Sequence, residues 1–133
     1  MSIALLSPRY MSKLLLIVMA LVELGTGVAL LAAPSWVVEL LLGDGLSSPQ
    51  SLVLGRITGA ALLTLGGACW LASTGEPSGR RGLVASMMIY NLAVPVLLIS
   101  GTGNIGMRGV ALVPGCVLHF GLAVWCIVCV RCV

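Results

Sequence analysis

Charge is the scarcest commodity in this 133-residue chain: Asp, Glu, Lys and Arg together make up 8% of it. Soluble domains carry roughly 25%, so most of this surface must face lipid or protein. Aromatic residues are also few, one Phe, two Tyr and three Trp. With the basic residues scattered and no aromatic interleaving, nucleic acid is excluded as a partner. There is a single His, so a metal site would need other ligand types or a second chain. Segments of about ten residues with alternating hydrophobicity are missing, which excludes a membrane β-barrel. No polar stretch is long enough to fold as a soluble catalytic domain. The chain therefore reads as one transmembrane domain, 1–133, and not as an enzyme.

Four long apolar runs occupy most of the sequence and predict spans over 14–33, 51–73, 82–100 and 109–130. Each is near the roughly 20 residues that cross a bilayer. Arg9 and Lys13 precede the first run, as in a signal peptide, but that run is full span length and contains Glu23, so a retained helix is expected. Met11 offers a second start site beside Met1. Pro34 closes the first span, and residues 35–42 (SWVVELLL) predict a short helix lying in the interface, with Trp36 at headgroup depth. Turn residues cluster at 43–50, 74–81 and 101–108. The expected fold class is all-α: a polytopic membrane protein, a four-transmembrane-helix bundle with a short interfacial helix between spans 1 and 2.

Glycine is abundant, seventeen residues. In the second span Gly55 and Gly59 make a G-x-x-x-G pair, and at helical period Leu62, Gly66 and Cys69 continue the same face. Gly55, Gly59 and Gly66 are the predicted helix-packing positions, because small residues let membrane helices approach closely. In the third span Pro95 cannot donate to the carbonyl of Asn91, four residues earlier.

Each span carries a costly group near its middle: Glu23, Arg56, Tyr90 with Asn91, and His119. Ionisable groups inside a membrane face each other or a wet cavity. An intramembrane cluster of Glu23, Arg56, Tyr90, Asn91 and His119 is therefore expected, with Glu23 and Arg56 as an ion pair. Such a cluster either glues four helices together or forms a site, as a proton relay, a ligand pocket or a metal contact.

Of five cysteines, Cys69, Cys116, Cys126, Cys129 and Cys132, the last three are spaced C-x-x-C-x-x-C. On a helix that spacing drifts round the surface by about 60° per step and does not converge on one ion. Cys69 is expected at the same end, so Cys69, Cys126, Cys129 and Cys132 are the thiol candidates for a metal or redox site. The simpler reading is small apolar packing residues.

Charges outside the spans give the orientation. With the N terminus inside, Arg9, Lys13, Arg80, Arg81 and Arg131 are cytoplasmic and only Arg108 is outside, beside Glu39 and Asp44. This satisfies the positive-inside rule and predicts a multi-pass inner-membrane protein with both termini cytoplasmic.

The segments GVALLAAPSWVVELLLG (27–43), LGRITGAALLTLGGACWLA (54–72), YNL (90–92) and VLHFGLAVWC (117–126) together resemble a group of small, uncharacterised four-helix membrane proteins of bacteria. The run Glu23-Leu24-Gly25-Thr26 is similar to the membrane-embedded Glu before a Gly-Thr pair in small multidrug resistance transporters, with the spacing one residue shorter. The latter resemblance implies a proton-coupled role for Glu23.

Three functions follow as expectations. The first is an accessory or stabilising subunit of a larger membrane complex, such as an energy-transducing one, with no cofactor of its own, bound lipid, and contacts to other membrane subunits or to itself. The second is a small proton-coupled transporter or hydrophobic-ligand binder using Glu23. The third is a haem, metal or thiol redox protein using His119 or the cysteines.

Overall fold

The computed structural model describes residues 7–106 and 108–131. Among them are five helices and no strand: α1 (Pro8–Ala32), α2 (Pro34–Leu42), α3 (Pro49–Thr74), α4 (Pro77–Ile105) and α5 (Leu112–Arg131). α1, α3, α4 and α5 are long and apolar enough to cross a membrane, with α4 crossing over Gly79–Gly101. The all-α four-helix bundle expected from the sequence is the fold observed, with α2 as the short extra helix.

Four of the five helices begin at a proline. Proline at the first helical position has its φ already set, and its missing N–H would have had no helical partner. Ser7 caps α1 by accepting from Tyr10 N–H at 3.3 Å. Ser48 caps α3 more completely. Its hydroxyl accepts from Ser51 N–H, and its own N–H donates to the Ser51 hydroxyl, a reciprocal box. The single residue between α1 and α2, Ala33, turns the chain at φ −142° and ψ 66°, outside the helical region that a residue before proline avoids.

The helix ends differ from the ends of the expected spans, which bound the apolar crossing and not the helix. α1 begins at Pro8 rather than 14, and includes Met11; Met1 lies outside the described residues. α4 runs from Pro77 to Ile105, through much of the expected turn at 101–108, because its glycines are tolerated within a helix. α5 begins at Leu112, three residues late, since 109–111 do other work described next.

The bundle is built of two antiparallel pairs, α1 with α3 and α4 with α5, and α1 also touches α4 and α5. Where α1 crosses α3, a Cβ on Gly27 would lie 2.8 Å from the Gly59 carbonyl oxygen, and a Cβ on Gly59 2.9 Å from that of Gly27. Gly66 meets Leu24 and Ala20 in the same way. α2 is tied to the segment before α5: Arg108 N–H donates to Leu42 O at 3.0 Å and Ala111 N–H to Leu40 O at 2.8 Å. These bonds satisfy two of the carbonyls left over at the end of α2. They require Gly109, whose Cβ position is filled by the Leu41 backbone. Trp36 of α2 is 59% exposed, consistent with a ring standing in the interface.

The buried core joins all four spans at the α1 N-terminal half: Leu15, Leu16, Met19 and Ala20 from α1, Cys69 from α3, Val84 and Met87 from α4, and Leu122, Cys126 and Cys129 from α5. Large apolar side chains cover the outside, among them Leu21, Leu71, Leu97 and Val117. Such a surface needs hydrocarbon or protein around it.

Candidate functional site: an intramembrane polar cluster

One turn beyond this core, α1, α4 and α5 bring polar side chains together. Glu23 is 1% exposed and Asn91 is fully buried. The Tyr90 hydroxyl donates to Glu23 Oε2 at 3.2 Å. Asn91 Nδ2 donates to the Met87 carbonyl at 2.8 Å, and Asn91 Oδ1 lies 2.8 Å from His119 Nδ1. A carbonyl can only accept, so the Asn91 amide nitrogen must face Met87. Its oxygen then faces His119, and Nδ1 carries the hydrogen.

Two hydrogen-bonded pairs therefore exist, Glu23 with Tyr90 and His119 with Asn91. They meet through an edge-to-face ring contact of Tyr90 and His119, with centroids 5.7 Å apart and planes at 77°. Pro95, buried one turn after Asn91, supplies no N–H to the Asn91 carbonyl. Glu23 Oε1 is buried and finds no hydrogen-bond partner among the described residues, and neither does Trp125 Nε1.

Four of the five expected cluster residues meet. Arg56 does not, which corrects the expected ion pair with Glu23: Arg56 is exposed. Two geometric reasons account for this. The face of α3 turned to α1 is marked by Gly59 and Gly66, and Arg56 sits about 100° round from Gly55 at the top of that face. The register also separates the two groups. Gly59 lies against Gly27 and Gly66 against Ala20, so Arg56 is level with about residue 30, seven residues beyond Glu23 and roughly 10 Å higher.

The three packing glycines sit against other elements: Gly59 and Gly66 on α1, and Gly55 on Pro34 and Leu46. Cys69, Cys126 and Cys129 fill the core, while Cys132 lies outside the described residues. Among the described residues, no three His, Cys, Asp or Glu side chains are arranged to hold a metal ion.

No family model, curated protein or solved structure matches this chain. The site must therefore be interpreted from its own chemistry.

Sequence reasoning missed several residues. Gly27 is half of the α1–α3 contact, yet a lone glycine in G-T-G carries no spacing signal. Trp125 buries its indole nitrogen, and an aromatic close to the end of an apolar run carries no signal of that. In the sequence Arg80 reads as a topology charge. Its guanidinium instead donates to the carbonyls of Ala72, Ser73 and Gly75 at the end of α3, and to Arg9 O at the start of α1.

Proposed function

We propose that this protein is a non-catalytic accessory subunit of a larger assembly in a bacterial inner membrane, with both termini cytoplasmic. The observation that carries the reading is Arg56. It lies seven residues inside α3, about 10 Å from the helix start, and its side chain is exposed. Ala60 and Thr64, one and two turns below, are exposed as well, and a Cβ on Gly67 would meet nothing within 4 Å. A small-residue face under a guanidinium with no partner among the described residues suits a neighbouring helix that brings a carboxylate. A free chain would have to send that guanidinium up to the headgroups.

The polar cluster supports the same reading. A proton relay needs an unbroken hydrogen-bond path, whereas here the two bonded pairs join by a ring contact. That arrangement locks α1, α4 and α5 in register.

The test is affinity purification of the tagged chain from native membranes. We expect a large partner in constant stoichiometry. Arg56→Leu should leave the isolated chain at least as stable in detergent, since an apolar side chain suits lipid better. The same substitution should cut partner recovery tenfold or more, as loss of a desolvated charge pair does. A tagged chain that always runs as a small free oligomer, or an unchanged partner yield with Arg56→Leu, would overturn the proposal.

One observation favours a second reading. Glu23 Oε1 is buried without a partner among the described residues, so a carboxyl oxygen is available to a proton or a small ligand, as the second expectation requires. Glu23→Gln separates the two readings.

A further inference from the structure

A cavity of about 150 Å³ opens at the end of the bundle where α1 and α4 begin and α5 finishes. Arg9 and Ser12 of α1, Arg80, Arg81 and Val84 of α4, and Val130 of α5 line it. Three guanidinium groups thus face one small space, and no carboxylate lines it. The chain has four acids in all. Glu23 is in mid-span, Glu39 and Asp44 are at the opposite end, and only Glu76 shares this end, exposed in the turn between α3 and α4.

The arginines differ in what already satisfies them. Arg80 is held by carbonyls of Ala72, Ser73 and Gly75, so it offsets the negative end of α3. Its remaining bond, to Arg9 O, ties α1 to α4. Arg9 and Arg81 are exposed. Arg9 lies in the first turn of α1 and Arg81 at the start of the second turn of α4, and neither helix has an acid in its first turn. The N-terminal end of a helix is its positive end, where an added cation is unfavourable and an anion favourable. Two exposed cations close to two positive helix ends, around a cavity with no carboxylate among its described lining residues, favour an anion there. Apart from Ser12, the rest of the wall is apolar: Val84, one turn inward of Arg80, with Cys129 and Val130 of α5. That is the polarity profile of a phospholipid at the headgroup boundary. A cavity of this size admits a benzene-sized group and hence a phosphate.

We propose that this pocket binds the phosphate of an anionic phospholipid, clamped by Arg9 and Arg81 over the fixed guanidinium of Arg80. Basic pockets between membrane helices recognise lipid headgroups by this chemistry.

The experiment uses the full chain in nanodiscs of phosphatidylcholine alone and with phosphatidylglycerol or cardiolipin added, read by thermal unfolding and by native mass spectrometry of retained lipid. We expect a higher Tm and retained lipid only with the anionic lipids. Affinity should fall about fivefold for each charge removed in Arg9→Gln and Arg81→Gln, while Lys13→Gln, which alters a charge that does not line the cavity, leaves it unchanged. Arg81→Gln keeps the test valid should Arg9→Gln not fold, because Arg81 makes no hydrogen bond among the described residues. Inorganic phosphate added in detergent distinguishes the source of the anion: equal protection by phosphate overturns the lipid assignment. Equal stability in neutral and anionic discs, or an effect of Lys13→Gln as large as that of Arg81→Gln, overturns the site.

Discussion

Glu23 has one oxygen bonded to the Tyr90 hydroxyl and one with no partner among the described residues, both inside a helix bundle. Replacing it with Gln keeps the shape and an acceptor for Tyr90, and puts an amide NH₂ where no acceptor stands. Hydrogen bonds inside membrane proteins average about 0.6 kcal/mol, so the loss in Glu23→Gln should be below about 1 kcal/mol when unfolding is followed in mixed micelles. Partner recovery should stay at the wild-type level. If proton-driven uptake by reconstituted protein disappears while folding is unchanged, Glu23 is a coupling group and the structural role of the cluster is lost. The contrast with Arg56 shows what single residues reveal in advance. That an acid, a tyrosine, an amide and an imidazole would converge followed from the cost of stranding them in hydrocarbon. Which way Arg56 points did not follow, because its partner, its azimuth and its register all depend on how α3 is rotated on α1.

At the scale of the helices, close approach decides stability. Gly59 presses on the backbone of α1, so a methyl group there meets the Gly27 carbonyl and the Leu31 amide, neither of which can move alone. Gly59→Ala should part α1 from α3 and cost roughly 1–3 kcal/mol, the range for overpacking. Gly67 is one residue from the other packing glycine, yet has open space around its Cβ position. Gly67→Ala should change stability by no more than about 0.5 kcal/mol. Paired unfolding curves check both, and equal effects would contradict the observed α1–α3 interface. The G-x-x-x-G spacing made the α3 half of this contact legible, since four residues along one helix is a local signal. The other half, Gly27, became visible only when the two helices were docked. Helix ends depart from the ends of the apolar runs for a related reason. The expected spans followed the apolar runs, whereas the helices begin at Pro8, Pro34, Pro49 and Pro77, where backbone geometry and not hydropathy sets the start. The pairing of Gly109 with the end of α2 joins segments far apart in sequence, and no local pattern announces it.

Across the whole molecule the charges are sorted by end. The fold puts Arg9 and Lys13 in the first turns of α1, Arg80 and Arg81 near the start of α4, and Arg131 in the last turn of α5. All five therefore stand at one end of the bundle. The opposite end has Arg108, against Glu39 and Asp44. Retention of Lys and Arg on the cytoplasmic side follows the loops that flank short spans, and acids contribute little to it. Four spans also return the chain to the side on which it started. The expected topology is N and C termini in the cytoplasm and the α2 loop outside. A fluorescent protein fused after Val133 should therefore glow, alkaline phosphatase at the same place should be inactive, and phosphatase inserted at Gly45 should be active. The reverse pattern would place the guanidinium-lined cavity in the outer leaflet and Arg56 at cytoplasmic depth. Both the lipid and the partner helix inferred for them would then have to be sought on the other side of the membrane. Mixed activity at both positions would mean that two orientations coexist. That outcome is at odds with five basic residues held at one end against one at the other.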